Sequence, residues 1–352
     1  MRALGIEIDK RNAQKLHTLL VGKRLLDGKL KPIHTNEKVI FALLREPNAQ
    51  EKSQIAKLDA RIAKREFESN VQKPRSLKEA LSGKLNGKEM GKLISSFDVL
   101  GDVAVIEIPE MLSKKEKLIG KTLLELNPSL KSVYRIASAH TGEYRTQKVE
   151  LIAGKAQRIA HYKEHGCIFE IDFANVFFSP RLSTERKRIA ELVKPKEVVA
   201  VFFSGIGPFA IVIAKKQPLA EKIYAVELNP SAHRQALDNI ALNHVENEVE
   251  AIEGDVNKIA PKLLKGKCDR IVMPMPKTAQ NFLDSAFIAL KPEGGIVHYY
   301  HFGPTENPYE SSTAIIKKIA QKYKRRIKIL QKRIVRPFSA STVQIVIDFK
   351  VY

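Results

Sequence analysis

Cysteine is nearly missing from this chain, with 2 in 352 residues, Cys167 and Cys268, far apart in sequence. That leaves no disulfide framework and no cysteine-based metal pattern, and both thiols are expected to be buried and inert, as in a cytoplasmic protein. No apolar run reaches the ~18 residues that span a bilayer, so nothing is expected to cross a membrane. The opening MRALGIEIDKRNAQKL breaks its apolar stretch with charges too early for a signal peptide. Acidic residues are also scarce, with 39 Asp and Glu against 60 Lys and Arg, a net charge of +21. Such an excess favours polyanions, nucleic acid before a membrane surface. There is no P-loop, zinc spacing or hydrolase triad to suggest other chemistry. What is present is a globular composition, 44% hydrophobic, over a length that suits two or three domains.

The most informative stretch is VVAVFFSGIGPFAIVIAKKQPLAEKIYAVELNP, residues 198–230. An apolar strand runs into a glycine turn (Gly205, Gly207), then a helix, then a second apolar strand ending at Glu227. This is the first half of a nucleotide-binding βαβ unit, with an acid placed to hold ribose hydroxyls. The turn reads G-x-G-P-F, and Phe209 stands near the third glycine that a dinucleotide pyrophosphate needs. An adenosyl ligand without phosphate fits better, which points to S-adenosylmethionine.

The chain divides into three expected parts. Residues 1–70 read as a small α/β unit, with strands at 6–9 and 38–44, a helix over 12–26, and a polar helix or connector from Glu46 to about Ser76. Residues 71–175 form a middle α/β part. Its segment 103–108 is so continuously apolar that it predicts a strand buried on both faces. Short strands follow at 131–137, 147–154, 157–166 and 167–173, interleaved with basic residues able to meet phosphates. Residues 176–352 alternate strands (198–203, 222–227, 249–252, 269–273, 294–300) with helices (185–193, 208–216, 230–243, 278–290, 308–323) and end in two consecutive strands, 324–336 and 342–352. That pattern predicts a doubly wound parallel sheet closed by an antiparallel pair, the layout of class I, Rossmann-like methyltransferases.

Ligands of such sheets bind beyond the carboxyl ends of the strands. Four segments are expected there: Phe203 to Gly207, including Ile206, for the amino-acid end of the cofactor; Glu227 with Leu228 for the ribose; Asp255 and Val256 near the adenine; and the MPMPKTA turn with Pro274 and Pro276. HYYHFG (298–303) ends a core strand and reads as packing rather than metal binding. The basic run 317–333 suits either a nucleic-acid contact or a solubilising edge.

The motifs FDVLGDVAVIEIP, HTGEYR (140–145), VFFSPRLSTER (176–186), SGIGPF, YAVELNP and GGIVHYY resemble the archaeal and eukaryotic-type tRNA guanine-37 N1-methyltransferase family over essentially the whole chain. The resemblance implies a small N-terminal domain that recognises the outer corner of tRNA and a catalytic domain acting beside the anticodon, and the three-part layout suggests that the protein acts as a monomer. Guanine N1 carries a proton at neutral pH, so methylation needs a base, and charge then gathers on O6. The resemblance makes Glu185 that base, in a first helical turn with Ser183 or Thr184 as cap, and Arg145 the group that stabilises O6. It adds Phe177 and Arg181 to the cofactor pocket. The sequence departs from the family pattern at three places. Val201 replaces an acid of the first strand, Phe177 a tyrosine, and Pro274 the asparagine of an Asn-Leu-Pro-Lys box. A Pro-x-Pro-Lys box looks like the archaeal subgroup that methylates C7 of the tricyclic wyosine precursor 4-demethylwyosine, alone or in addition. A binding protein on a methyltransferase fold remains the non-enzymatic reading.

Overall fold

The computed structural model describes residues 1–70, 74–137 and 148–352. It divides between Arg75 and Ser76 into two units. The first contains β1 (Arg2–Asp9), α1 (Ala13–Gly22), β2 (Ile33–His34), β3 (Lys38–Ala42), α2 (Ala49–Ala56) and β4 (Arg61–Glu66). Its sheet runs in the order β2-β3-β1-β4. Ile6, Ile8, Val39 and Phe41 bury one face against Leu16 and Leu20 of α1. The polar stretch after Glu46, expected as a helix or connector, supplies both α2 and β4. Asn48 and Glu51 form a reciprocal capping box that starts α2. β4 pairs antiparallel with β1 although its side chains are mostly exposed. An edge strand needs only its partner's backbone, and its Arg and Lys side chains discourage further pairing.

The second unit begins with α3 (Leu77–Leu81), α4 (Gly87–Lys92), β5 (Phe97–Leu100), β6 (Val103–Glu107), α5 (Glu116–Leu126), β7 (Ser132–Ile136) and β8 (Val149–Gly154). These strands form the sheet β5-β6-β7-β8, with β6 and β7 parallel. β6 is buried on both faces as its sequence predicts. Ala104 and Ile106 pack with Ile119 and Leu123 of α5, while Val103 and Val105 belong to the core that reaches Val199 and Val346. The sequence expectation of a part ending at 175 therefore meets a core shared across that position.

A hairpin, β9 (Ala160–Glu164) and β10 (Cys167–Ile171), precedes α6 (Ser183–Leu192), β11 (Val198–Phe202), α7 (Pro208–Lys216), β12 (Lys222–Glu227), α8 (Pro230–Leu242), β13 (Val249–Glu253), α9 (Val256–Ile259), β14 (Arg270–Met273), α10 (Leu283–Ala289), β15 (Gly295–Pro304), α11 (Glu310–Lys322), β16 (Ile327–Pro337) and β17 (Thr342–Val351). The sheet order is β13-β12-β11-β14-β15-β17-β16. β11 to β15 are parallel, and β17 joins β15 and β16 antiparallel, as expected for the doubly wound sheet. The order reverses beside β11, so the crevice opens between β11 and β14. The last pair starts later than expected because Lys324 turns the chain with φ 53 before Ile327.

One helix holds the hairpin by mimicking a strand. Gln235 and Asn239 of α8, with Asn243 at its C-cap, accept from the backbone N–H of Asp172 (3.1 Å), Glu170 (2.8 Å) and Ile168 (2.9 Å) respectively. Asn243 and Asn239 return Nδ2–H to the carbonyls of Ile168 and Glu170. Four residues of helix rise ~6 Å and two of strand ~6.7 Å, so the amides keep register with the strand edge.

Candidate active site

The glycine turn after β11 takes the chain through left-handed backbone at Phe203 (φ 57), Gly205 (φ 56) and Gly207 (φ 84). Gly207 is followed by Pro208, which opens α7. A Cβ at Gly207 would stand 3.3 Å from Ile211, and one at Gly205 would stand 3.6 Å from the carbonyl of Phe177. The turn is therefore close to its neighbours, and the Phe177 segment lies against it.

Glu227, at the end of β12, ties two segments together. Gly205 N donates to its Oε2 at 2.7 Å and Asn229 N to its Oε1 at 2.8 Å. Burial pushes the Glu227 carboxyl up from its ordinary value, against the pull of these N–H groups. Each oxygen keeps a lone pair for a sugar hydroxyl. Ser204 Oγ is buried inside the same turn with no hydrogen-bond partner. A shaped turn, an acid with spare acceptor capacity and an unsatisfied buried hydroxyl fit the adenosyl ligand that the sequence predicts.

The other expected residues fall along the same edge. Phe203 packs edge-on against Phe282, with centroids 4.7 Å apart. Ile206 and Val256 are buried, and Leu228 is half-buried. Asp255 follows β13 and caps α9 by accepting from Asn257 N at 2.9 Å. Pro274 is half-buried just past β14, and Pro276 is buried. Arg181 is tied elsewhere: its Nε meets Asp98 of β5 at 2.6 Å. Arg145, with the whole HTGEYR motif, lies outside the described residues. A cavity of about 160 Å³ lies between the β5–β7 strands and the segment Phe177–Ser179, with Leu100 and Ile136 in its walls and Asp98 and Arg336 among its polar lining.

Glu185 sits in the first turn of α6 and is 3% exposed. No side chain caps this helix; the hydroxyl of Ser183, an expected cap, instead meets His165 Nε2 at 2.9 Å. Tyr300 donates its hydroxyl to Glu185 Oε2 at 2.9 Å. β15 pairs with the last residue of β14 at Tyr299, so Tyr300 lies at the carboxyl edge of the sheet and fixes Glu185 there. Arg188 Nε donates to the same Oε2 at 2.9 Å, and Arg333 Nε lies 3.0 Å from Oε1. Burial and the adjacent Glu185 carboxylate raise the Tyr300 hydroxyl well above its ordinary pKa, so it remains a donor.

A chain of buried charge runs on from there. Arg188 Nη1 donates to Asp348 Oδ2 at 2.5 Å, Asp348 Oδ1 faces His298 Nδ1 at 2.7 Å, and His298 Nε2 faces Arg270 Nη1 at 2.7 Å. Arg270 then forks onto Glu197 at 2.8 and 3.0 Å. Burial would raise the Asp348 carboxyl, but His298 and Arg188 outweigh it and hold it at about 2. Burial keeps His298 below its ordinary value against the pull of Asp348. A neutral ring that donates from Nδ1 and accepts at Nε2 satisfies both neighbours. Sequence reasoning missed Arg188, Tyr300 and Arg333 as partners of Glu185. HYYHFG was legible as buried strand, but the contact of Tyr300 with Glu185 joins residues 115 apart, and no local spacing encodes it.

Comparison with known proteins places the chain among methyltransferases. The family described as TRM5/TYW2 methyltransferase domain matches residues 160–330, and the TYW2 N-terminal domain matches residues 77–157. The tRNA (guanine(37)-N(1))-methyltransferase Trm5b of Pyrococcus abyssi is 37% identical over 291 residues, 82% of this chain and 84% of that protein. The solved complex of aTrm5 and tRNALeu superposes with a TM-score of 0.83 at 30% identity, covering 99% of this chain and 100% of that one. The structure of Methanocaldococcus jannaschii TYW2 in complex with AdoMet superposes with a TM-score of 0.58 at 26% identity, over 73% of this chain and 99% of that one.

Proposed function

This chain belongs to the TRM5/TYW2 methyltransferase family, and on that premise we propose that it transfers a methyl group from S-adenosylmethionine to N1 of guanosine 37 in tRNA. The observation that carries the reading is the glycine turn closed by Glu227, with Gly205 N at 2.7 Å from its carboxylate. When bound, the cofactor supplies an electrophilic methyl group.

The chain's own residues do the rest. Glu227 holds the ribose hydroxyls with its remaining lone pairs, and the Phe203–Gly207 backbone holds the amino-acid end. Leu228 borders the ribose, Asp255 and Val256 enclose the adenine, Pro274 and Pro276 follow β14 on the side of the target base, and Phe177 lies against the glycine turn, while Arg181 is held by Asp98. The target base leaves its stack and enters the cavity beside Phe177, which abuts the glycine turn. Glu185 takes the N1 proton on Oε1, since Oε2 already accepts from Arg188 and Tyr300. Arg145 offsets the charge that gathers on O6. Residues 1–70 meet the outer corner of the tRNA, residues 71–175 contact the RNA near the anticodon, and the protein acts as a cytoplasmic monomer. No helix among the described residues is long and apolar enough to cross a membrane.

The test of the base is Glu185→Gln. Single-turnover transfer should slow by a factor on the order of 10² to 10⁴, with S-adenosylmethionine affinity unchanged. A wild-type rate, or a rate loss that merely follows loss of cofactor binding, would remove Glu185 from that role.

Pro274 favours a second reading. It offers no side-chain amide to guanine, and the match of residues 77–157 to the TYW2 N-terminal domain points the same way. In that reading the same pocket methylates C7 of the tricyclic wyosine precursor, alone or in addition.

A further inference from the structure

The three partners of Glu185 differ in their freedom to leave. Arg188 is 13% exposed and is also bound to Asp348, and Tyr300 is fully buried. Arg333 is 42% exposed, and its Nε stands 3.0 Å from Glu185 Oε1 without the alignment of a hydrogen bond. It comes from β16, the outermost strand of the sheet, whose Lys328, Leu330, Lys332 and Ile334 are exposed.

The strand is built to aim Arg333 at this carboxylate. Ile327 and Ile329 pair with Val351 and Phe349 and pack on their side of the sheet. A bulge between Ile329 and Gln331 then reverses the alternation. Beyond it Arg333 pairs with Val346, which lies in the opposite core. Gln331 meets Arg188 Nη1 at 3.4 Å on that side. Without the extra residue Arg333 would follow Ile329 to the other face, away from α6. Bulges beside active sites commonly re-aim a side chain in this way.

We propose that Arg333 is a positioning residue that changes partner when RNA binds: it covers Glu185 Oε1 in the free protein and passes to a backbone phosphate beside the target nucleotide in the complex. The inference rests on the reading of Glu185 as the base. Carboxylate and phosphate are alternative acceptors for one guanidinium, and phosphate takes its fork at least as well. Oε2 already accepts two donors, so Oε1 is the oxygen that guanine N1–H must reach. A cation on Oε1 competes with that proton, and its transfer to phosphate opens the acceptor only when RNA is present. The exposed Lys328 and Lys332 that precede Arg333 form the basic edge along which a backbone would lie.

The experiment measures tRNA affinity of the full chain, loaded with S-adenosylmethionine, across a salt series. For Arg333→Gln the slope of log affinity against log salt should fall in magnitude by about 0.7–0.9, the loss of one phosphate contact. KM for tRNA should rise on the order of 10-fold, about one charge-assisted hydrogen bond, with a smaller effect on kcat. Arg333→Lys keeps the charge and should keep the wild-type slope. A wild-type slope in Arg333→Gln, a lost slope in Arg333→Lys, or a kcat loss equal to the KM change would each overturn the exchange. The salt slope needs no methyl transfer, so its result is independent of whether Glu185→Gln disables the base.

Discussion

Glu185 is one end of a buried charge sequence that passes through Arg188, Asp348, His298 and Arg270 to Glu197. Breaking any member leaves a neighbour buried and uncompensated, which costs far more than the pair contributes. The same sequence sets a pH dependence of stability. His298 is held below its ordinary 6.5 in the fold. Below that pH the unfolded chain binds the additional proton, so stability falls as pH drops. Asp348, held at about 2 against an ordinary 3.8, adds stability above 3.8 that is lost as pH falls from there through 2. Thermal unfolding followed downward from neutral pH should show the melting temperature starting to fall near pH 6.5, with a shallower fall in His298→Gln, where only His301, also held low by burial, still contributes to that step. A wild-type curve no steeper than that of His298→Gln would mean the ring is charged in the fold.

At the scale of elements, α8 acts as both crossover helix and surrogate strand. Asn239 is fully buried and serves Glu170 N, Glu170 O and, at 3.4 Å, the carbonyl of Ile206 in the glycine turn. Asn239→Ala should therefore destabilise by about 2–3 kcal/mol, the cost of leaving buried backbone groups unpaired. The denaturant midpoint should move without a change in slope. A loss within error of zero would mean that the hairpin is held by packing alone. The elements of the doubly wound sheet were legible because their apolar runs, glycine turn and helix periods agree locally. β4 was not legible, since an exposed edge strand of Arg, Lys and Glu carries no apolar alternation. The bulge that reverses Gln331 and Arg333 was also hidden, because register shifts leave no trace in residue type. The residues proposed for the cofactor follow strand ends that local pattern marks, whereas the partners of Glu185 come from β15, β16 and α6 and meet only in three dimensions.

For the whole molecule, an excess of +21 spread over two units with separate cores suits a protein that grips a large polyanion at more than one place. The catalytic sheet explains cofactor use, and the charge explains why an RNA rather than a small molecule is the substrate. Pro274 leaves the identity of the methylated atom as the point on which the account turns. The direct measurement is to incubate the full chain with labelled S-adenosylmethionine and two tRNAs, one with unmodified guanosine 37 and one carrying the tricyclic precursor, and to read the nucleosides by mass spectrometry. The account predicts 1-methylguanosine from the first tRNA. Product from the second tRNA alone would contradict it and assign the pocket to carbon methylation.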